Sequence, residues 1–265
     1  MAVNRSIVGS GKVTLVLSHG YGGSRAVWDA VVPQLSLNYQ LLLFDWNFTA
    51  GAAFLRPAPL DSSQPTDFSF EAFADELISL LDEIKMKGVV FVGHSMSGMI
   101  GCIASVKRPE LFAHLLLVSA SPRYMNLEDY EGGFDVPMIE SLLNSIRSDF
   151  HSWSESFAAA AMATDDPIPL QKFRASLQAM NRESALALGE MIFYSDLRHV
   201  LRKVEAPCTI IQGANDIAVP VAVAHYMKSE IKGKATVEII ENHGHFPQLT
   251  SPARFVRIVE REVKY

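Results

Sequence analysis

Ser95, Asp216 and His245 stand in the order nucleophile, acid, base along the chain, and together they could carry out acyl transfer. A serine hydroxyl is a poor nucleophile at neutral pH. It needs a base to take its proton and an acid to orient that base. Ser95 lies in Val89-Val90-Phe91-Val92-Gly93-His94-Ser95-Met96-Ser97-Gly98, an apolar run that ends in a serine between small residues and then becomes helical in pattern. This reads as a strained strand-to-helix turn that exposes its hydroxyl. The usual G-x-S-x-G would have glycine where this chain has Ser97, the next smallest choice. Taken alone the string also suits an ordinary turn.

Asp216 follows the apolar run Cys208 to Gln212, and His245 lies in Asn242-His243-Gly244-His245-Phe246-Pro247, directly after the last strand-like run. Singly they read as a helix-capping aspartate and a surface histidine. Their order, and their positions at the ends of successive strands, make them the orienter and the base. His243 is the rival base, earlier in the same turn. Developing negative charge also needs donors. The N–H of Met96 is one, and the N–H of Tyr21, in Ser18-His19-Gly20-Tyr21-Gly22-Gly23, is the second. This glycine-rich loop lacks the Lys-Ser/Thr of a phosphate-binding loop and the G-x-G-x-x-G spacing. His94 is expected to point away from the nucleophile and to be structural.

These groups must be positioned by a sheet. Strand-length apolar runs, Val13 to Ser18, Gln40 to Asp45, Val89 onward, His114 to Ser119, Cys208 to Gln212 and Thr236 to Ile240, alternate with helix-period segments. The alternation predicts an α/β fold with a mostly parallel sheet. The helical segments are Ala26 to Leu35, Phe70 to Met86, Ser97 to Lys107, Val219 to Ile231 and Pro252 to Val263. Between about Ser121 and Val204 the pattern turns wholly helical, with stretches at Val136 to Asp149, Ser152 to Met162, Pro167 to Met180 and Arg182 to Ser195. A single domain over 1–265 with a helical insertion over 122–204 follows. Pro57 to Thr66 reads as a surface loop.

Composition excludes several classes. A net charge of -6 gives no reason to expect nucleic acid or an anionic membrane surface. No apolar run approaches the roughly 20 residues of a membrane helix. The N-terminus lacks a secretory pattern. Two cysteines, Cys102 and Cys208, form no disulfide framework and have no metal-ligand spacing, so a reducing compartment is expected and neither a metal nor a cofactor is implied.

The chain resembles the plant strigolactone and karrikin receptor family of α/β-hydrolases over nearly its whole length. The resemblance rests on Gly93-His94-Ser95-Met96-Ser97-Gly98-Met99-Ile100-Gly101, Arg108-Pro109-Glu110-Leu111-Phe112, Ser119-Ala120-Ser121-Pro122-Arg123-Tyr124, Asp129-Tyr130-Glu131-Gly132-Gly133-Phe134 and Gly244-His245-Phe246-Pro247-Gln248-Leu249. It implies the α/β-hydrolase fold, a four-helix lid over an apolar pocket, and the triad Ser95, Asp216 and His245. It also implies pocket-lining roles for Tyr21, Tyr124, Leu142, Trp153, Phe157, Phe173, Phe193, Ile217 and Phe246. A small apolar butenolide ligand, slow hydrolysis, an F-box signalling partner and a cytoplasmic and nuclear location follow from the same resemblance. Asp45-Trp46-Asn47-Phe48-Thr49-Ala50-Gly51, the long proline-rich stretch that follows, and Met96 and Gly98 in the elbow depart from the main receptors and resemble the DWARF14-like subgroup. A signalling module with little turnover and a generalist esterase are the alternatives.

Overall fold

The structure is a computed structural model that describes residues 4–48, 68–164, 166–241 and 243–263. Seven strands form one sheet: β1 (Arg5–Val8), β2 (Thr14–Ser18), β3 (Gln40–Phe44), β4 (Val89–His94), β5 (Phe112–Val118), β6 (Cys208–Gly213) and β7 (Ala235–Ile240). Their order is β1-β3-β2-β4-β5-β6-β7, with β1 antiparallel to β3 and all other pairs parallel. The short β1 has no counterpart among the sequence-predicted strands, because Arg5–Val8 is half exposed and too brief to show a period.

Period-two alternation buries both faces of the central strands. Val16, Leu42, Phe91, Leu115, Leu117 and Ile210 pack into one apolar cluster, while Leu15, Leu17, Leu41, Leu43, Val90, Val92, Leu116 and Val118 pack into another. A parallel sheet covered on both sides demands this near-continuous apolar pattern. The cover begins with a 3-10 turn, Arg25–Trp28, and α1 (Val32–Leu35), where the sequence predicts one continuous helix. Next come α2 (Phe70–Glu83) and α3 (Met96–Lys107). Ser69 starts α2 by accepting from the Ala72 N–H at 3.1 Å, a cap worth about 1 kcal/mol.

Between β5 and β6 run α4 (Val136–Ser148), α5 (Phe150–Met162), α6 (Pro167–Gln178) and α7 (Arg182–Tyr194), then the short α8 (Arg198–Leu201). Asp149, Asp166 and Asn181 cap α5, α6 and α7 with their side chains, which explains the sharp boundaries within the helical stretch. The sheet then resumes with α9 (Val221–Glu230), α10 (Pro247–Thr250) and α11 (Pro252–Glu262) in the later connections. The chain leaves β2 toward β3 on one side and returns to β4 on the other. The crevice between β2 and β4 is therefore the switch point at which an open α/β sheet gathers ligand-facing loops. The surface loop predicted at Pro57 to Thr66 lies outside the described residues. No helix among the described residues is long and apolar enough to cross a membrane.

Candidate active site

Ser95 ends β4 and begins α3 with φ +57° and ψ −125°, a conformation that a side chain bearing Cβ adopts at a cost of about 1–3 kcal/mol. The surroundings hold it there. Its N–H donates to the Val118 carbonyl at 2.8 Å, and its own carbonyl accepts from the Gly98 N–H at 2.9 Å. A Cβ at Gly93 would lie 2.6 Å from the Ser97 carbonyl oxygen, and one at Gly98 would collide with Ala120. In this turn the crowded positions are thus Gly93 and Gly98, which explains how Ser97 is accommodated.

His245 Nε2 lies 2.9 Å from Ser95 Oγ, and His245 Nδ1 lies 2.8 Å from Asp216 Oδ2. The carboxylate accepts at Nδ1–H, so Nε2 is left as the acceptor for the serine proton. All three side chains are buried. Burial of Asp216 favours the neutral acid, yet its pKa is lowered. The charge and hydrogen bond of His245, the Ala218 N–H at 2.8 Å and Gln212 Nε2 at 2.9 Å outweigh desolvation. The Val219 N–H adds a fourth donor at 3.1 Å. The rival base, His243, turns its Nδ1 to Thr250 Oγ1 at 3.0 Å instead.

Close against Ser95 runs the loop after β2. The Gly20 carbonyl accepts from the Gly23 N–H at 3.1 Å and from His19 Nδ1 at 3.0 Å, while His19 Nε2 accepts from the Trp46 N–H at 3.1 Å. Burial lowers the His19 pKa to about 4, only partly countered by the Gly20 carbonyl and Asp45, so the ring is neutral with its proton on Nδ1. Met96, the first residue of α3, has its side chain buried in the core and its N–H in the unpaired first turn of the helix.

Beside Ser95 and His245 lies a partly open cavity of about 30 Å³, room for one or two waters, lined by Tyr21, Tyr124, Phe157, Phe173, Phe193 and Phe246. His94, Ile192 and Ala218 also line it. His94 therefore does not point away as expected. Its Nε2 donates to the His245 carbonyl at 2.8 Å, its Nδ1 has no partner among the described residues, and burial lowers its pKa to about 3. The Tyr124 hydroxyl, near Ser95, has no hydrogen-bond partner of good geometry there, and burial raises its pKa.

Three predicted lining residues fall elsewhere. Ile217 is 54% exposed, because the turn that directs Asp216 and Ala218 inward sends the residue between them out. Leu142 sits on the flank of α4, whose buried stripe is Ile139, Leu143 and Ile146. Trp153 stands behind the wall, stacked on Phe157 at 5.1 Å and edge-on to Tyr21 at 6.2 Å. Sequence reasoning also missed Gln212. A glutamine near the end of a fully buried strand, four positions before Asp216, was the available signal.

A serine, a histidine and a carboxylate at the carboxyl ends of a mostly parallel sheet define a hydrolase of the α/β type, and residues 15–258 match the family described as the alpha/beta hydrolase family. Within it the chain belongs to the karrikin and strigolactone receptor family. It is 40% identical to the karrikin insensitive 2 receptor CA of Petunia hybrida over 265 residues, covering 100% of this chain and 96% of that one. It is 36% identical to the strigolactone esterase D14 of Arabidopsis thaliana over 260 residues, covering 98% and 96%. In fold it matches a hydrolase from Oleispira antarctica, olei00960, with a TM-score of 0.86 and 24% identity over 97% of this chain and 94% of that one.

Proposed function

We propose that this chain hydrolyses small butenolide ligands of the strigolactone type, with Ser95 as nucleophile, His245 as base and Asp216 as orienter. The observation that carries the reading is the continuous hydrogen-bond chain from Ser95 Oγ through His245 to Asp216, at 2.9 and 2.8 Å. The strigolactone esterase among the relatives supplies the strigolactone class, and the resemblance supplies the butenolide.

Ser95 Oγ attacks the lactone carbonyl carbon while His245 Nε2 takes its proton. The Met96 and Tyr21 N–H groups receive the anionic oxygen. The intermediate collapses, the ring C–O bond breaks, and His245 returns the proton to the departing oxygen. A hemiacetal freed in this way expels an enol-ether substituent as the enol. Water then attacks the acyl-enzyme, gives one proton to His245, and restores the Ser95 hydroxyl when the acid leaves.

A second reading, a ligand-gated receptor with little turnover, is favoured by the size of the cavity. About 30 Å³ is a tenth of the lower end of ordinary ligand pockets, roughly 300 Å³, so the wall formed by Phe157, Phe173 and Phe193 has to yield before a butenolide enters. That motion would present a new surface to an F-box partner in the cytoplasm or nucleus. Tyr124, whose buried hydroxyl lies near Ser95 without a partner of good geometry, is the group that meets a ligand oxygen.

The test is parallel turnover of a butenolide enol ether and an aryl acetate, with ligand-dependent capture of an F-box protein. Preferential release from the butenolide supports the reading. Turnover of the aryl ester alone would make the chain a generalist esterase, and ligand-dependent capture without release would make it a receptor.

A further inference from the structure

Ser97 stands where such a turn ordinarily has its second glycine, and it is wholly buried. Its hydroxyl donates to the His19 carbonyl at 2.6 Å, accepts from Ser18 Oγ at 2.9 Å and accepts from Trp46 Nε1 at 3.0 Å. One donor and two acceptor sites are all a hydroxyl has, so this one is fully used. It joins the loops that follow β2, β3 and β4, which glycine at this position could not do.

The consequence runs through two peptide planes. The His19 carbonyl is held to Ser97, and the Gly20 carbonyl is held by the Gly23 N–H and His19 Nδ1. A trans peptide sets its N–H opposite its C=O, so fixing these two carbonyls fixes the Gly20 and Tyr21 N–H directions. The loop has no slack against the nucleophile. A Cβ at Gly20 would lie 2.7 Å from the Ser95 Cβ. Trp46 completes the brace, with its N–H on His19 Nε2 and its indole on Ser97.

We propose that Ser97 is a positioning residue for oxyanion stabilisation, its hydroxyl anchoring the loop after β2 so that the Tyr21 N–H is presented to the anionic oxygen formed at Ser95. The inference rests on the serine-hydrolase reading above. It assigns a role to the position at which this elbow departs from the usual motif.

The experiment compares wild type with Ser97→Gly, which restores the residue the turn ordinarily has, and Ser97→Cys, which keeps a weak donor. Two quantities are measured per folded molecule: the rate at which a fluorophosphonate labels Ser95, and kcat and KM for p-nitrophenyl acetate. Losing an oxyanion donor outright costs about 10²–10³ in kcat, and misplacing one should cost Ser97→Gly about 10–100-fold in kcat and in labelling. KM should stay within about twofold, and Ser97→Cys should recover part of the loss. Equal labelling of wild type and Ser97→Gly would overturn the proposal, as would a loss confined to KM or to the folded fraction. Failure of wild type to label or turn over would overturn the serine-hydrolase reading itself, and the inference with it.

Discussion

On the sheet side of the cavity, Asp216 accepts four hydrogen bonds, Ser97 uses its whole hydrogen-bonding capacity, and Ser95 is held in a costly backbone conformation by bonds at its N–H and its carbonyl. On the side of the helices between β5 and β6, Phe157, Phe173 and Phe193 meet their neighbours by ring contacts, such as Phe173 on Phe246 at 4.5 Å and Phe193 on Tyr124 at 5.5 Å. Hydrogen bonds are directional and costly to leave unmade, while ring contacts tolerate sliding. The same cavity thus has one wall held by directional hydrogen bonds and one held by ring contacts that can slide. Hydrogen bonds also tie the two sides together. The Tyr21 hydroxyl donates to the Ala185 carbonyl of α7 at 2.7 Å, and the His245 N–H donates to the Ala161 carbonyl of α5 at 3.1 Å.

The largest effects should come from breaking the fixed wall. Ser95→Ala should remove turnover by about 10⁶-fold, with circular dichroism and melting little changed, because the turn accepts another small side chain. Asp216→Asn keeps the shape but removes the charge that orients His245, and should lower kcat by about 10⁴-fold. Retention of turnover in either variant would show that the buried hydrogen-bond chain is not the reacting one.

Acid should weaken the fixed wall first. His19 and His94 have folded pKa values of about 4 and about 3 against an ordinary 6.5, so between these limits the unfolded chain binds more protons. Stability therefore rises with pH across that window and is lost as pH falls from about 6.5, by roughly 2 kcal/mol per imidazole at pH 5. Asp216, with its lowered pKa, adds a loss in the same direction below the ordinary carboxylate range. Urea midpoints at pH 7.5 and pH 5 measure this, and equal midpoints would contradict it.

The smallest effect concerns the yielding wall. Tyr21→Phe removes the bond to Ala185 and about 1 kcal/mol while keeping the ring. Amide exchange in α7 should quicken while β4 stays protected. Uniform protection would mean that the lid does not open as a separate unit.

The chain declared much of this design in its sequence. Apolar alternation exposes the sheet because each central strand is buried on both faces, and the Ser-Asp-His order is legible because each residue follows a strand. The loss of strand-like alternation between Ser121 and Val204 makes the inserted helices equally plain. What stayed hidden was decided by direction in space. Helical period cannot tell Leu142 on a flank from Leu143 in the core, and nothing local shows that Ile217 faces out between two inward neighbours. Nor does the string around Ser97 reveal a bond to Trp46, 51 residues away.

The most direct test of the central claim is the intact mass of the protein, with peptide mapping, during turnover of a butenolide enol ether. A mass gain equal to the acyl remnant, mapped to Ser95 and absent from Ser95→Ala, is the expected result. Product release with the same rate and no dependence on Ser95 would contradict the account.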